Sequence, residues 1–301
     1  MKKLSAGDLI FLTTARFVAL TVILIGGFCS VACDDVSRPK SFAALKAKAE
    51  QGDALAQLNL GVAYHNGAGV PRDDAEAAKW DRLAAEQGLA NAQSNLGIAY
   101  HFGEGVSRDD AEAVKWWRLA AEQNLAIAQS NLGVAYHNGA GVPRDDAEAV
   151  KWYRLAAEQG FANPQHNLGV AYRNGEGVPR DDAEAVKWYR LAAEQGYAPA
   201  QSSLGVAYHN STGVPRDYAE AVKWYRRAAA QGLANAQNNL GIAYHSGEGV
   251  PRDYVEAYVW FSLAAAQGQP EARKKLDLTE TLLTPEQRGE AQKMARERKP
   301  Q

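Results

Sequence analysis

Residues 123–158 read QNLAIAQSNLGVAYHNGAGVPRDDAEAVKWYRLAAE, and this stretch recurs along the chain. The Gln that opens it stands also at Gln51, Gln87, Gln159, Gln195 and Gln231, in steps of 36 residues, with a seventh start at Gln267. Six full copies cover 51–266. A fixed period between about 20 and 50 residues marks stacked supersecondary units and decides the fold before any single residue does.

Each copy holds two helices. The first is expected from near Ala128 to Gly139, because Ala128, Leu132, Gly133, Ala135 and Tyr136 recur at spacings of three and four and share a face. Gly139 and Gly141 suit the turn that leaves it. Asp145 is a good N-cap for the second helix, with Glu148 placed to complete a capping box. That helix is expected from about Asp146 to Glu158, with Ala149, Trp152, Leu155 and Ala156 as its buried stripe. Gly88, Gly160, Gly196 and Gly232 fall where a helix C-cap is wanted.

Three positions recur in all six copies. Gly61, Gly97, Gly133, Gly169, Gly205 and Gly241 lie inside the first helix, where Gly costs about 1 kcal/mol against Ala. The expected reason is close approach of another helix backbone. Tyr64, Tyr100, Tyr136, Tyr172, Tyr208 and Tyr244 recur likewise, as do Trp80, Trp116, Trp152, Trp188, Trp224 and Trp260. They read as the core that stacks one repeat on the next. Truncating Trp152 to Ala is then expected to cost roughly 3–5 kcal/mol.

A helix with A-x-A-Q-x-x-L-G-x-x-Y, a loop G-x-G-V-P-R-D and a helix A-x-x-W-Y-x-x-A-A-x-Q-G together resemble the Sel-one-like repeat family, a relative of the tetratricopeptide repeats. The resemblance covers 51–266. It implies an all-α fold, an α-solenoid of paired antiparallel helices wound into a right-handed superhelix, with a concave face formed by the first helices. It also implies adaptor, scaffold or host-contact roles. Some relatives carry a cysteine pair in each repeat; no repeat here does, so properties tied to those disulfides do not carry over.

The array needs ends. Residues 33–50 read as a linker and an N-terminal half-repeat, in which Ser41 to Glu50 aligns with a second helix and Ala44 replaces the Trp. Residues 267–301 read as capping helices. Asp277 stands where Gly recurs, and Thr284-Pro285-Glu286-Gln287 is the start of a helix expected to run to about Arg298. This tail holds eight basic and six acidic residues, as a solvated cap would.

Residues 1–32 read as a targeting segment. Lys2, Lys3 and Arg16 precede an apolar run from Phe17 to Ala32, and Asp34 and Asp35 follow. Ser30-Val31-Ala32 fits cleavage after a small-x-small pattern. Cys33 resembles the attachment point of a bacterial lipoprotein, although Ser30 stands where that pattern usually has Leu. The run is shorter than the ~20 residues a spanning helix wants. Cleavage, lipid attachment through Cys33 and retention as an anchor all remain open, and each means export to the bacterial cell envelope. The only cysteines are Cys29 and Cys33, so the array is expected to be held by packing alone.

A net charge of −2 gives no reason to expect a nucleic-acid partner. His65, His101, His137, His209 and His245 form a line, with Arg173 in the fourth repeat. One His per repeat cannot converge on a metal ion. The G-x-G-V-P-R loop lacks the preceding strand and the Gly-Lys-Ser/Thr ending of a phosphate loop. Acidic groups such as Asp145-Asp146-Glu148 suit a helix start. No catalytic, cofactor or metal residue is expected.

The better candidate is a groove for a protein or peptide partner on the first-helix face. Asn59, Asn95, Asn131, Asn167 and Asn239 recur beside the His and Arg line, and Phe102 replaces the usual Asn or Ser. Such amide and imidazole groups can bond an extended peptide backbone. The reading is therefore an interaction scaffold of the envelope. Its alternatives are a secreted or surface factor that contacts a host, and an envelope enzyme acting on cell-wall material. The enzyme would need a buried acid or nucleophile unique to one repeat, and none is expected.

Overall fold

The computed structural model describes residues 38–298. The targeting segment, Cys29 and Cys33 lie outside the described residues. Within them there are fifteen helices and no strand: α1 Arg38–Glu50, α2 Ala54–Asn66, α3 Asp74–Glu86, α4 Ala90–Phe102, α5 Asp110–Glu122, α6 Ala126–Asn138, α7 Asp146–Glu158, α8 Ala162–Asn174, α9 Asp182–Glu194, α10 Ala198–Asn210, α11 Tyr218–Ala230, α12 Ala234–Ser246, α13 Tyr254–Ala266, α14 Pro270–Glu280 and α15 Pro285–Glu297. The molecule is an all-α solenoid of helix pairs. From α2 to α13, even numbers are first helices and odd numbers second helices. None of the described helices is long and apolar enough to cross a membrane. The chain divides into two compact parts at Ala128/Gln129, and each is considered by itself.

The second helices start and stop where the sequence places them. The first helices begin about two residues earlier than expected. Asp145 caps α7 by accepting from the Glu148 amide at 2.9 Å. The reciprocal half of the capping box is missing, because the Glu148 carboxylate takes Lys151 instead, at 2.7 Å. The full box forms at Thr284 and Gln287. After α7 the chain turns through Gly160 at φ 91°, and Asn124 takes the equivalent left-handed place after α5 at φ 66°.

The buried stripe differs from the expected one. Ala149, Val150, Tyr153, Ala156 and Ala157 are buried on α7, whereas Leu155 is 43% exposed and Trp152 is half-buried. The aromatic that fills the inside of a repeat is the residue after the Trp: Trp117, Tyr153, Tyr189, Tyr225 and Phe261. The Trp stacks neighbours, as expected, but from a half-buried seat. Trp188 packs on the cluster that Ala149 and Tyr153 of α7 form with Leu168 of α8, and Trp116 on the one that Leu58 of α2 and Ala84 of α3 form with Leu96 of α4.

This corrects the reason for the helical glycine. A Cβ on Gly133 would lie 2.6 Å from the Tyr153 ring and 3.2 Å from the Ala149 carbonyl, so the glycine admits a ring more than a backbone. The close backbone approach belongs to the loop. A Cβ on Gly177, at φ 71°, would lie 2.1 Å from the Asp146 carbonyl of the preceding repeat.

A chain of amides ties the pairs together. Gln165 is 4% exposed on α8 and donates to the Ala157 carbonyl at the end of α7, at 3.2 Å. Its own oxygen accepts from Gln195, the residue that ends α9, at 2.8 Å. The same pattern joins Gln201 to Ala193 and Gln231, and Gln237 to Ala229 and Gln267. In the N-terminal part it joins Gln93 to Ala85 and Gln123. The Gln that sets the period is thus the exposed half of a staple whose other half is buried.

Candidate functional site

The His line begins as a structural clamp. His65, His101 and His137 end their first helices, and each Nδ1 lies 2.9, 2.6 and 2.8 Å from the carboxylate of Asp74, Asp110 and Asp146 respectively. Each carboxylate opens a second helix and also takes the Arg two residues earlier, as Arg144 does at 2.8 Å. The Arg144 hydrogen bond, with help from His137, holds the Asp146 carboxyl below the usual range. The ring therefore pins the end of one helix to the start of the next.

Later repeats break the clamp. Arg173 turns to Asn174 at 3.4 Å and leaves Asp182 to Arg180. Tyr218 replaces the Asp in the fifth repeat, and His209 bonds Asn210 at 2.9 Å and Glu248 at 3.2 Å. His245 lies edge-on to Tyr254, with a buried Nε2 that has no partner.

The asparagines do not form one row. Asn59 is exposed, and Asn131 is only 4% exposed. Asn95 reaches towards Asp81 at 3.5 Å, Asn167 donates to Asn163 at 3.2 Å, and Asn239 lies 3.5 Å from Asn238. Phe102 is 38% exposed, its ring against His101 at 4.5 Å. A Leu at Asn131 or His137 would thus disturb packing or the clamp, not a free surface.

What the fold does bring together is His137 and Asn167. With Asp146, Tyr153 and Glu176 they line a cavity of about 60 Å³ between α6, α7 and α8. Val150 and Val170 supply apolar wall. The Tyr153 side chain is 5% exposed, and burial raises its hydroxyl well above the ordinary phenol range, so it stays protonated. Tyr153 and Glu176 were missed from sequence. The signals were there: an aromatic follows the recurring Trp in five repeats, and Glu alternates with Ala or Thr in the G-x-G loop.

Two further polar groups were also missed. Asp81 is a buried acid unique to the first repeat, against the expectation that there would be none. It is 7% exposed in the slot that rings fill elsewhere, and burial pushes its carboxyl up to about 8. It faces Gly61 and Asn95. His166 sits against the rings of Tyr189 and Tyr197, and burial there pushes it down to about 4. Among the described residues no three His, Cys, Asp or Glu side chains are grouped to hold a metal ion.

Comparison with known proteins places this geometry. The Sel1 repeat model matches residues 54–89, 90–125, 126–161, 165–197, 198–233 and 234–269. No curated protein matches the chain. Among solved structures, the chain is similar to a protective antigen of uropathogenic Escherichia coli strains that displays an SLR fold. The identity is 42% and the TM-score 0.77, over 87% of this chain and 56% of that one. The chain thus spans little more than half the length of that relative. It is also similar to a Sel1 repeat protein from Oxalobacter formigenes, at 34% identity and TM-score 0.67, over 76% of this chain and 97% of that one. A likeness to the Cut9–Hcn1 heterotetramer of the APC/C, at 14% identity and TM-score 0.53 over 89% and 52%, speaks to the fold alone. The chain belongs to the Sel1 repeat family, helical scaffolds that generally mediate protein–protein interaction.

Proposed function

We propose that this chain is an interaction scaffold of the bacterial cell envelope that binds a protein or peptide partner on the face of its first helices. The observation that carries the reading is the cavity between α6, α7 and α8, which opens polar groups of three different elements to one small space. A space lined by apolar walls and a few convergent polar groups is what a binding subsite needs. The location rests on the targeting segment of residues 1–32 and on Cys33. The test is crosslinking capture from envelope fractions, with the full-length protein as bait and Asn167→Arg as control. Asn167 is half-buried at the cavity, so the longer side chain should fill it while helicity and melting temperature hold. A partner lost with the variant supports the reading. Equal capture by both excludes this face, and no captured partner in any fraction counts against a scaffold.

A second reading is a surface or secreted factor that contacts a host protein. It is favoured by the 42% identity to a protective antigen. Protease shaving of intact cells separates the two, since an envelope-internal scaffold is spared and a surface factor is digested.

A further inference from the structure

The cavity also carries information about what it would hold. We propose that it is a subsite for the cationic head, guanidinium or ammonium, of one basic side chain in a bound peptide. This rests on the first helices forming the binding face.

The charge around the cavity is unbalanced. Asp146 is committed to Arg144 and His137. Among the described residues Glu176, in the loop after α8, has no ion pair within 4.0 Å, and its one hydrogen bond comes from the Asn174 amide at 3.2 Å. One carboxylate therefore borders the space with only a shared cation near it, Arg144, which is already paired with Asp146. The Tyr153 hydroxyl has no hydrogen-bond partner among the described residues, though its side chain is 5% exposed and lines the cavity. A hydroxyl that opens to the space can accept a hydrogen bond from a cationic N–H.

Size and walls agree. About 60 Å³ is several times the ~10–15 Å³ that one water needs, enough for a guanidinium-sized group. Val150 and Val170 offer apolar surface to the methylene stem of Lys or Arg, and such walls strengthen a charge-assisted hydrogen bond.

Neighbouring repeats lack the combination. The Glu176 position is Ala140 in the third repeat and Thr212 in the fifth; in the second repeat it is Glu104, but there Asp81 takes the place of the Tyr. In the sixth repeat Glu248 is already taken by His209. The feature is thus specific to the third and fourth repeats and is not a by-product of the repeat pattern.

The test uses the full-length protein and fluorescent pools of acetylated, amidated hexapeptides, each with one fixed central residue and random flanks. Glu176→Gln and Tyr153→Phe keep shape and packing, and their melting temperatures are checked alongside. Arg- and Lys-fixed pools should bind best, and Glu176→Gln should weaken those pools about tenfold, the loss of one charge-assisted bond. The other pools should change by no more than about twofold on that substitution. An unchanged basic preference in Glu176→Gln overturns the proposal. Binding without basic preference that is lost in Asn167→Arg overturns the cation subsite and leaves the face reading standing. If no pool binds, the face reading fails and takes this proposal with it.

Discussion

Asp81 sits in the slot that Trp117, Tyr153, Tyr189, Tyr225 and Phe261 fill in the other repeats. Its carboxyl is held near 8 when folded, against about 4 in an unfolded chain. Between those values the folded state binds more protons than the unfolded one. Stability therefore falls as pH rises from about 4 to about 8, by up to roughly 1.4 kcal/mol per pH unit. Urea midpoints of Asp81→Asn measured across that range should be flatter than those of the native protein; parallel curves would show that Asp81 is ionised in the fold. At the neighbouring scale of one ring, Tyr153→Ala should destabilise by roughly 3–5 kcal/mol, and Trp152→Ala by clearly less, because Trp152 is only half-buried. Thermal melts of the two variants decide which of the paired aromatics is the inner one. Gly133→Ala should be destabilising by about 1–3 kcal/mol despite the better helix propensity, because its Cβ would meet the Tyr153 ring at 2.6 Å.

Between elements, the amide staple does what a longer hydrophobic contact would do less specifically. Gln165 donates to the Ala157 carbonyl at the end of α7, which also accepts from the Gly160 amide, and holds the Gln195 amide beyond α9. Gln165→Ala removes one hydrogen bond to each, although Ala157 keeps the Gly160 amide and Gln195 keeps the Leu191 carbonyl, and should lower stability by about 0.5–1.5 kcal/mol. Denaturant midpoints would show this, and a change under about 0.5 kcal/mol would mean that water replaces the staple. A second tie runs at the surface, where Arg154 donates to the Tyr172 hydroxyl of the next repeat at 2.7 Å and Arg190 to Tyr208 at 3.0 Å. At Tyr172 and Tyr208 the recurring Tyr thus combines packing with an exposed bond.

For the molecule as a whole, stability in a repeat array is a sum of repeats and their interfaces, and the ends need covering. In the sixth repeat Val259 stands where the others have Lys, and Leu263 is 6% exposed where Leu155 and Leu191 are 43% and 45% exposed. The cause is α15, which lays Ala291 and Met294 against this cluster and pairs Arg298 with Glu256 at 2.5 and 2.9 Å. Removing residues 284–301 should uncover Val259 and Leu263, at about 1.5–3 kcal/mol for each side chain. Calorimetry should show a lower melting temperature, and light scattering should show association through the bared face. An unchanged melt would mean that α15 decorates the array without capping it.

The repeat period, the helix limits and the caps could be read from the residues, because they follow from local rules. Asp145 as N-cap, Thr284 with Gln287, and the glycines of the turns act within a few residues of their own positions. The Gln period was visible while its purpose was not, since Gln165 and Gln195 meet across 30 residues of chain. Which aromatic turns inward could not be read from Trp152 and Tyr153, because adjacent helical residues differ in direction by about 100° and only packing selects between them. The expected site row failed for the same reason: Asn131 is buried and His137 is drawn to Asp146, and those outcomes depend on how α6 meets α7. Glu176 and Tyr153 come together only when two consecutive helix pairs dock, so the cavity belongs to the tertiary structure and not to any one repeat.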